Sequence, residues 1–473
     1  MFPLASEKYF NSKKIIMKKL SSACRNFKCL LLILVSIQVI SCEKFLDAKP
    51  DQAIAEPTSA EDVQRLLDGY VTMNIAQPNL GMQSDDDFYI TDVYYNSLIP
   101  FYKNTYTWEK DIVTDAPWLA LYKTVLSSNL SLEVLQQLTG PDDAAYRRTL
   151  AAQALYYRSM AFYQLAQVFA LPYEEAVAAQ TPGICIRTAS DINTPVVRHS
   201  MKDTYNKIIT DLNNSLIALP SSAFPVSRPS KVAGYPLMSN VYLNMRKYAL
   251  AGLYADSALQ LNNALIDYNS IAATAAIPFT QFNKEIIFSA AMSGNARFNQ
   301  TNMKVDSVLY QSYTIHDLRK KLYFRQSGTT TQFGFKGNYQ GNTTGALFTG
   351  FTTAEMFLIR AESAARLGLK DSALADLNRL MQYRFSVNNF VPFTAANAGD
   401  ALEIILTERR KELIGRGRRW YDLRRLNKEP GWEINLQRKI EGQLYQLPAN
   451  DARYVFAIPL QVVAAHGVPQ NER

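Results

Sequence analysis

Residues able to do covalent or metal chemistry are few in this chain, and they are scattered. Its three histidines, His199, His316 and His466, lie far apart, and no Cys-x-x-Cys, His-Glu-x-x-His or Gly-x-Ser-x-Gly occurs. Zinc sites and nucleophile triads therefore find little support. Asp85-Asp86-Asp87 is a run of carboxylates without the spaced ligands of a calcium loop. It reads as a solvated turn or an edge that bonds hydroxyls, not as a metal site. A basic run from Arg409 to Arg425 could bind phosphate, but Glu408, Glu412 and Asp422 sit among its arginines. Guanidinium forks pair bidentately with carboxylates, so the run is expected to be structural, with Trp420, Tyr421 and Leu423 packed inward. Acid–base carboxylate pairs come from folding, and spacing alone does not decide for or against them.

Cys42 is the one side chain whose surroundings assign it a modification. A basic stretch (Lys13 to Lys28) precedes the apolar run Leu30 to Ile40, and the chain turns polar after Cys42. That is the layout of a secretory signal, and the run is well short of the roughly 18 to 20 residues that span a bilayer. Val39-Ile40-Ser41-Cys42 resembles the lipobox of bacterial lipoproteins, which implies lipidation at Cys42. Met17 to Ser41 already has a complete signal's proportions, so Met17 is an alternative start to Met1. The formal charge of +8 then loses its meaning: residues 1 to 41 hold seven Lys/Arg against Glu7, a net of +6, which leaves +2. A nucleic-acid footprint needs a concentrated basic patch on the folded part, so no nucleic-acid partner is expected. Only Cys185 remains beside Cys42 after cleavage. It reads as a small buried apolar residue, and the fold as one without disulfides.

The expected organisation is a signal over 1–41, a lipidated tether over 42–57 and one domain over 58–473. Ser59 with Asp62 marks an N-cap, and Val63, Leu66, Leu67, Tyr70 and Val71 keep helical spacing. Helical patterns recur from Trp118 to Leu132, from Ala144 to Phe169 and from Met201 to Leu219. Two later segments look alike. Val241 to Leu259 turns at Arg246-Lys247-Tyr248, and Glu355 to Leu380 turns at Gly368-Leu369-Lys370. Small residues such as Ala251, Ala255, Ala258 and Ala373 let paired helices approach closely, as in tetratricopeptide repeats, here interrupted by insertions. Pro236 is expected to begin its helix, because it would break one already formed. Two irregular aromatic stretches, about 83–110 and 268–353, are read as loops, the second from its Gly and Thr density between Gly334 and Gly350.

Thr407-Glu408-Arg409-Arg410-Lys411-Glu412-Leu413 and Gly417-Arg418-Arg419-Trp420-Tyr421-Asp422-Leu423-Arg424-Arg425 strongly resemble the C-terminal signature of SusD/RagB outer-membrane lipoproteins. Other segments agree in order. They are Trp118-x-x-x-Tyr122 with Asn129, the helix Arg158 to Tyr163, Tyr205-x-x-Ile208-x-x-Asp211-Leu212 and Arg228-Pro229-Ser230-Lys231. Glu285 to Phe288, Leu358 to Glu362, Phe456 to Pro459 and Pro469-Gln470-Asn471 follow. Arg416 departs from the pattern, standing where the family more often has glutamate, and is expected to alter a local ion pair.

The resemblance implies a mostly α, SusD-like fold with interrupted tetratricopeptide-repeat-like helix pairs and a loop-rich face. It implies no catalysis, no cofactor and no bound metal. The implied role is capture of a glycan at the cell surface for a SusC-like TonB-dependent barrel, with the protein as lid and the outer membrane reached through lipid. A peptide ligand within the same system, or a repeat-like surface scaffold without a transporter, is the alternative. Sugar C–H faces lie flat on aromatic rings while Asn, Asp and Arg bond the hydroxyls. The expected ligand residues are therefore Tyr94, Tyr95, Phe101, Tyr102, Arg297, Phe298 and Tyr310, in the two aromatic stretches.

Overall fold

Ser59 and Asp62 start the folded chain by satisfying each other's backbone. Ser59 Oγ accepts from the Asp62 N–H at 3.1 Å and Asp62 Oδ2 accepts from the Ser59 N–H at 3.1 Å. The computed structural model describes residues 57–139, 143–293, 298–342 and 345–473. The signal, Cys42, nearly all of the tether and Arg297 lie outside the described residues. Helix α1 (Ala60–Leu67) ends sooner than its spacing suggests, because Gly69 leaves helical backbone and Tyr70–Met73 forms a separate turn.

The body is built on α2 (Ala116–Gln137), α3 (Ala144–Phe169), α4 (Met201–Ala218), α5 (Lys231–Asn244), α6 (Tyr248–Leu261), α7 (Thr353–Arg366), α8 (Lys370–Met381), α9 (Ala398–Glu412) and α10 (Arg419–Leu426). Helix occupies about 49% of the described residues, so the protein is mostly α. Helix α3 packs between α2 and α4, and it is buried on every side from Tyr156 to Phe169. A helix so enclosed needs partners for its polar side chains, and most have them, the Tyr156 hydroxyl being without one among the described residues. Ser159 Oγ donates to the Ile208 carbonyl at 3.1 Å, and Gln167 Nε2 donates to the Tyr205 hydroxyl at 3.1 Å. Cys185 is free and buried beside α2, and burial pushes its thiol up to about 11.

The two look-alike segments are helix pairs with the same turn. Lys247 and Leu369, the residues before α6 and α8, share φ −90° and ψ 68°. Each follows a residue of positive φ, Arg246 at 57° and Gly368 at 79°. Helix α6 packs on both α5 and α7, with Ala251, Ala255 and Ala258 fully buried at the interface side. Helix α5 corrects the expectation for Pro236. It begins at Lys231, and Pro236 lies inside it. The ring removes one helical donor, yet the Pro236 carbonyl still accepts from Asn240 Nδ2 at 3.0 Å. The helix is also held by close packing at Gly234, where a Cβ would lie 2.7 Å from Leu216 Cδ2.

The aromatic stretches are more ordered than their composition suggests. The first contains the short helices Leu80–Ser84, Asp92–Asn96 and Pro100–Tyr106. Segments of five to seven residues hold too few turns to show a period. The second contains two-stranded antiparallel ladders, including Phe324–Gln326 with Phe333–Phe335 and Phe351–Thr352 with Ile286–Phe288. Its glycines do two jobs: a Cβ on Gly350 would lie 1.9 Å from the Phe288 carbonyl oxygen, so that glycine serves close strand approach, whereas Gly341 and Gly345 supply positive φ of 67° and 88°. Beneath these ladders Tyr268, Phe279, Tyr323, Phe335, Tyr339 and Phe348 form a second apolar core. Among the described residues, no helix is long and apolar enough to cross a membrane.

Candidate ligand-binding site

Most of the arginine-rich signature is consumed by internal pairing, while Arg424 donates to the Ala170 carbonyl and makes no ion pair among the described residues. Arg409 Nε donates to Asp422 Oδ2 at 2.8 Å, and Arg425 Nε donates to Asp422 Oδ1 at 2.8 Å. Arg425 also grips Glu362 with bonds of 2.6 and 2.8 Å, and Arg418 Nε donates to Glu355 at 2.7 Å. Buried ions survive only when paired and hydrogen-bonded, and these are. Burial alone would raise the Asp422 carboxyl, but Arg409 and Arg425 outweigh it and hold it down to about 2. Arg416 behaves otherwise. It makes no direct ion pair among the described residues; its guanidinium lies 4.1 Å from the Tyr339 ring centre, and Nη1 donates to Thr352 Oγ1 at 3.1 Å.

Asp85-Asp86-Asp87 is not a solvated turn. Asp85 and Asp87 are buried, and Asp86 accepts from Arg419 at 2.6 and 2.9 Å while Asp87 accepts from Arg410 at 3.0 Å. Burial and the neighbouring Asp87 and Asp86 charges push the Asp85 carboxyl well above its ordinary range. The run faces two arginines of the C-terminal signature, a pairing across more than 320 residues that sequence spacing does not reveal.

Among the expected ligand residues, the structure gathers one group and separates one residue. Phe101 and Tyr102 meet edge to face at 5.1 Å, and Tyr102 meets Phe298 at 5.9 Å. Tyr106 joins Phe298 to Tyr95, at 6.1 Å on each side. Phe298 is buried, so it backs the cluster and does not form its face. Tyr94 and Tyr95 are half-buried on the Asp92–Asn96 helix. Tyr310 belongs elsewhere: it stacks on Phe333 at 3.8 Å, with Lys320 Nζ 4.8 Å from its ring centre.

A cavity of about 390 Å³ opens beside this cluster, lined by Phe101, Tyr102, Gln77, Asn79, Gln83 and Ser293 among others. Three elements build it: the Leu80–Ser84 helix with the segment before it, the Pro100–Tyr106 helix and the N-terminal end of α2. Gln77 fixes the strand-like edge, since it bridges Met292 and its carbonyl accepts from the Ser293 N–H at 3.1 Å. Asn79 Nδ2 donates to the Ser293 carbonyl at 3.1 Å, and Gln83 Nε2 donates to Asn79 Oδ1 at 2.8 Å. Gln77 Oε1 and Gln83 Oε1 have no hydrogen-bond partner among the described residues. Leaving a buried acceptor unpaired costs roughly 1–3 kcal/mol. These amides escaped the sequence reading, because Gln77, Asn79 and Gln83 look like ordinary polar residues of a loop. A larger cavity of about 440 Å³ lies by the C-terminal tail. Its main charged group, Arg198, is already bonded to the Gly183 and Pro469 carbonyls.

Comparison with known proteins places the chain. A family profile described as starch-binding associating with outer membrane matches residues 44–243. A second profile, described as the SusD family, matches residues 292–458. SusD-like protein P2 of Formosa agariphila is 23% identical over 410 residues, 74% of this chain and 77% of that protein. The crystal structure of a SusD superfamily protein from Bacteroides thetaiotaomicron superposes with a TM-score of 0.71 at 19% identity, covering 88% of this chain and 100% of that one. A SusD-like carbohydrate binding protein from Bacteroides vulgatus gives 0.66 at 19% identity, covering 87% and 97%. The fold, the ordered motifs and both profiles agree: the chain belongs to the SusD family.

Proposed function

We propose that this protein is a surface lipoprotein that captures a glycan in the Phe101–Tyr102 cavity and hands it to a SusC-like TonB-dependent barrel in the outer membrane. The observation that carries the reading is the cavity itself, where the Phe101 and Tyr102 rings stand beside the amide side chains of Gln77, Asn79 and Gln83. Rings cover the apolar face of a sugar and amides take its hydroxyls. Family membership supports the nutrient-uptake setting, and the carbohydrate-binding neighbour from Bacteroides vulgatus supports a glycan. In this reading the protein performs no chemistry on its ligand.

Cys42 supplies the anchor in this proposal, and residues 42–57 form a leader that reaches at most about 55 Å when extended. A lid that swings away from a barrel must remain beside it, and a lipid with a short leader achieves that. Isothermal calorimetry against separate glycan and peptide panels tests the ligand. Glycan binding that falls tenfold or more in Phe101→Ala and Tyr102→Ala is expected; binding of peptides alone would overturn the reading. For the anchor, Cys42→Ala should yield folded protein lost from the membrane fraction, and unchanged fractionation would count against it.

A further inference from the structure

Of the four tryptophans, Trp108, Trp118 and Trp420 are buried and only Trp432 is left half-exposed. Among the described residues its indole N–H donates to nothing, and no second aromatic ring packs against it. Trp432 lines a cavity of about 320 Å³, at the small end of the range for ligand sites, together with Leu406 and Ile434.

Helix α9 supplies the polar groups. Glu403, Thr407 and Arg410 line the same cavity and follow one another at i, i+4 and i+7, so they share one face of the helix. Glu403 and Thr407 are exposed, and neither side chain makes a hydrogen bond or ion pair among the described residues. Arg410 is fixed by the aspartate run: Nε donates to Asp87 Oδ1 at 3.0 Å and Nη2 to the Asp86 carbonyl at 2.9 Å. Nη1 is left without a partner among the described residues, on a side chain 25% exposed. The other charged groups of the lining, Arg409, Lys411, Arg419 and Asp422, are bonded within the protein. What stays open is an indole, a carboxylate, a hydroxyl and one end of a guanidinium.

That set matches a sugar. The indole face covers the C–H side of a pyranose, a carboxylate accepts from its hydroxyls and a guanidinium donates to its oxygens. A peptide fits less well. No lining residue belongs to a strand, so no strand edge is offered, and a docking helix would need a row of anchor pockets along its length.

We infer that this cavity is a second oligosaccharide site, in which one sugar ring lies on Trp432 while Glu403 and Arg410 bond its hydroxyls. It shares no lining residue with the Phe101–Tyr102 cavity. The ligand class rests on the glycan-capture reading, whereas the site stands on its own residues.

The test is calorimetry on the mature protein with laminari-, malto-, manno- and xylo-oligosaccharides, in a Phe101→Ala/Tyr102→Ala background that silences the first cavity. At least one sugar should still bind there, about tenfold or more weaker than to the parent. Adding Trp432→Ala should weaken that residual binding by about a further tenfold, and adding Glu403→Ala by about fivefold. Trp432→Phe keeps a ring and should keep most of the binding, while the sugar-induced change in tryptophan emission disappears. A merely structural role for Trp432 would not move that emission signal. Thermal melts report folding, and the exposed Glu403 decides the matter if Trp432→Ala does not fold. No residual binding by the folded double variant would overturn the inference and leave glycan capture standing. Residual binding left unchanged by either folded addition would do the same. Binding of a peptide panel, lost in Trp432→Ala, would overturn the sugar assignment of this site. Undiminished sugar binding by the double variant, abolished by Trp432→Ala, would support this site and overturn the first cavity. Absence of sugar binding by the parent would overturn both.

Discussion

Arg158 holds Asp211 by both oxygens, with Nε at 2.8 Å from Oδ2 and Nη2 at 2.9 Å from Oδ1. The remaining nitrogen, Nη1, donates to Asn129 Oδ1 at 2.8 Å, so one buried guanidinium ties α2, α3 and α4 together. Asn129 passes the restraint on, because its Nδ2 donates to the Arg187 and Ala189 carbonyls. Removing the arginine would leave the buried Asp211 carboxylate with Lys207 Nζ alone, at 2.9 Å, and would leave Asn129 Oδ1 without its donor. Arg158→Ala is expected to lower unfolding free energy by about 3–5 kcal/mol, measured by urea denaturation. A loss below about 1 kcal/mol would show that water readily replaces the guanidinium.

This triad also explains why the fold could be read from sequence and the site could not. Asn129, Arg158 and Asp211 come from three separate motif segments, and the structure brings them to one point. Glu362 and Arg425 repeat the pattern, as do Glu285 and Glu412, which share Arg384. The motif residues are thus the partners of one another, and their types announce the architecture. The cavity has no such signal. Gln83 matters because of where Ser293 places Asn79, a relation made across more than 200 residues by tertiary folding. The placement of the expected aromatic residues depends on the same tertiary relations. Phe101 and Tyr102 line the cavity, whereas Phe298 is buried behind them and Tyr310 is packed elsewhere.

The repeat-like helix pairs offer a test of backbone geometry free of packing effects. A Cβ on Gly368 would meet nothing within 4 Å, yet its φ of 79° disfavours any side chain. Gly368→Ala should therefore cost about 1 kcal/mol, from conformation alone. Arg246 occupies the matching turn with φ 57° and tolerates that strain. A midpoint for Gly368→Ala equal to that of the parent would mean the turn relaxes.

Acid should loosen the arginine network over a defined window. The Asp422 carboxyl stands at about 2 in the folded protein against an ordinary 3.8. A lowered carboxyl contributes stability that is complete above the unfolded value and is lost as pH falls through the folded one. The loss for this group should run from about pH 4 to pH 2 and amount to about 2–3 kcal/mol. Glu362 and Glu412 are lowered too, against the effect of their burial, by Arg425 and Arg384 respectively, and they steepen the same limb. Denaturation midpoints between pH 5 and pH 2 would follow it, and Asp422→Asn should be less stable at pH 7 with a flatter acid limb.

Asp85 has the opposite sign. Its carboxyl is raised, chiefly by burial and then by Asp87 and Asp86, so the folded state favours the protonated form. Such a group supports folding below its ordinary value and opposes it increasingly as pH rises from there toward the folded value. Asp85→Asn keeps the one bond its side chain makes, since an amide oxygen can still accept from the Asp87 N–H at 3.1 Å. The substitution removes the need to hold either a proton or a buried charge. It should raise the urea midpoint at pH 7, and the gain should shrink toward pH 3, where the parent carboxyl is protonated in both states. A lower midpoint at pH 7 would show that attraction to Arg419 outweighs burial, and that all three aspartates are held ionised.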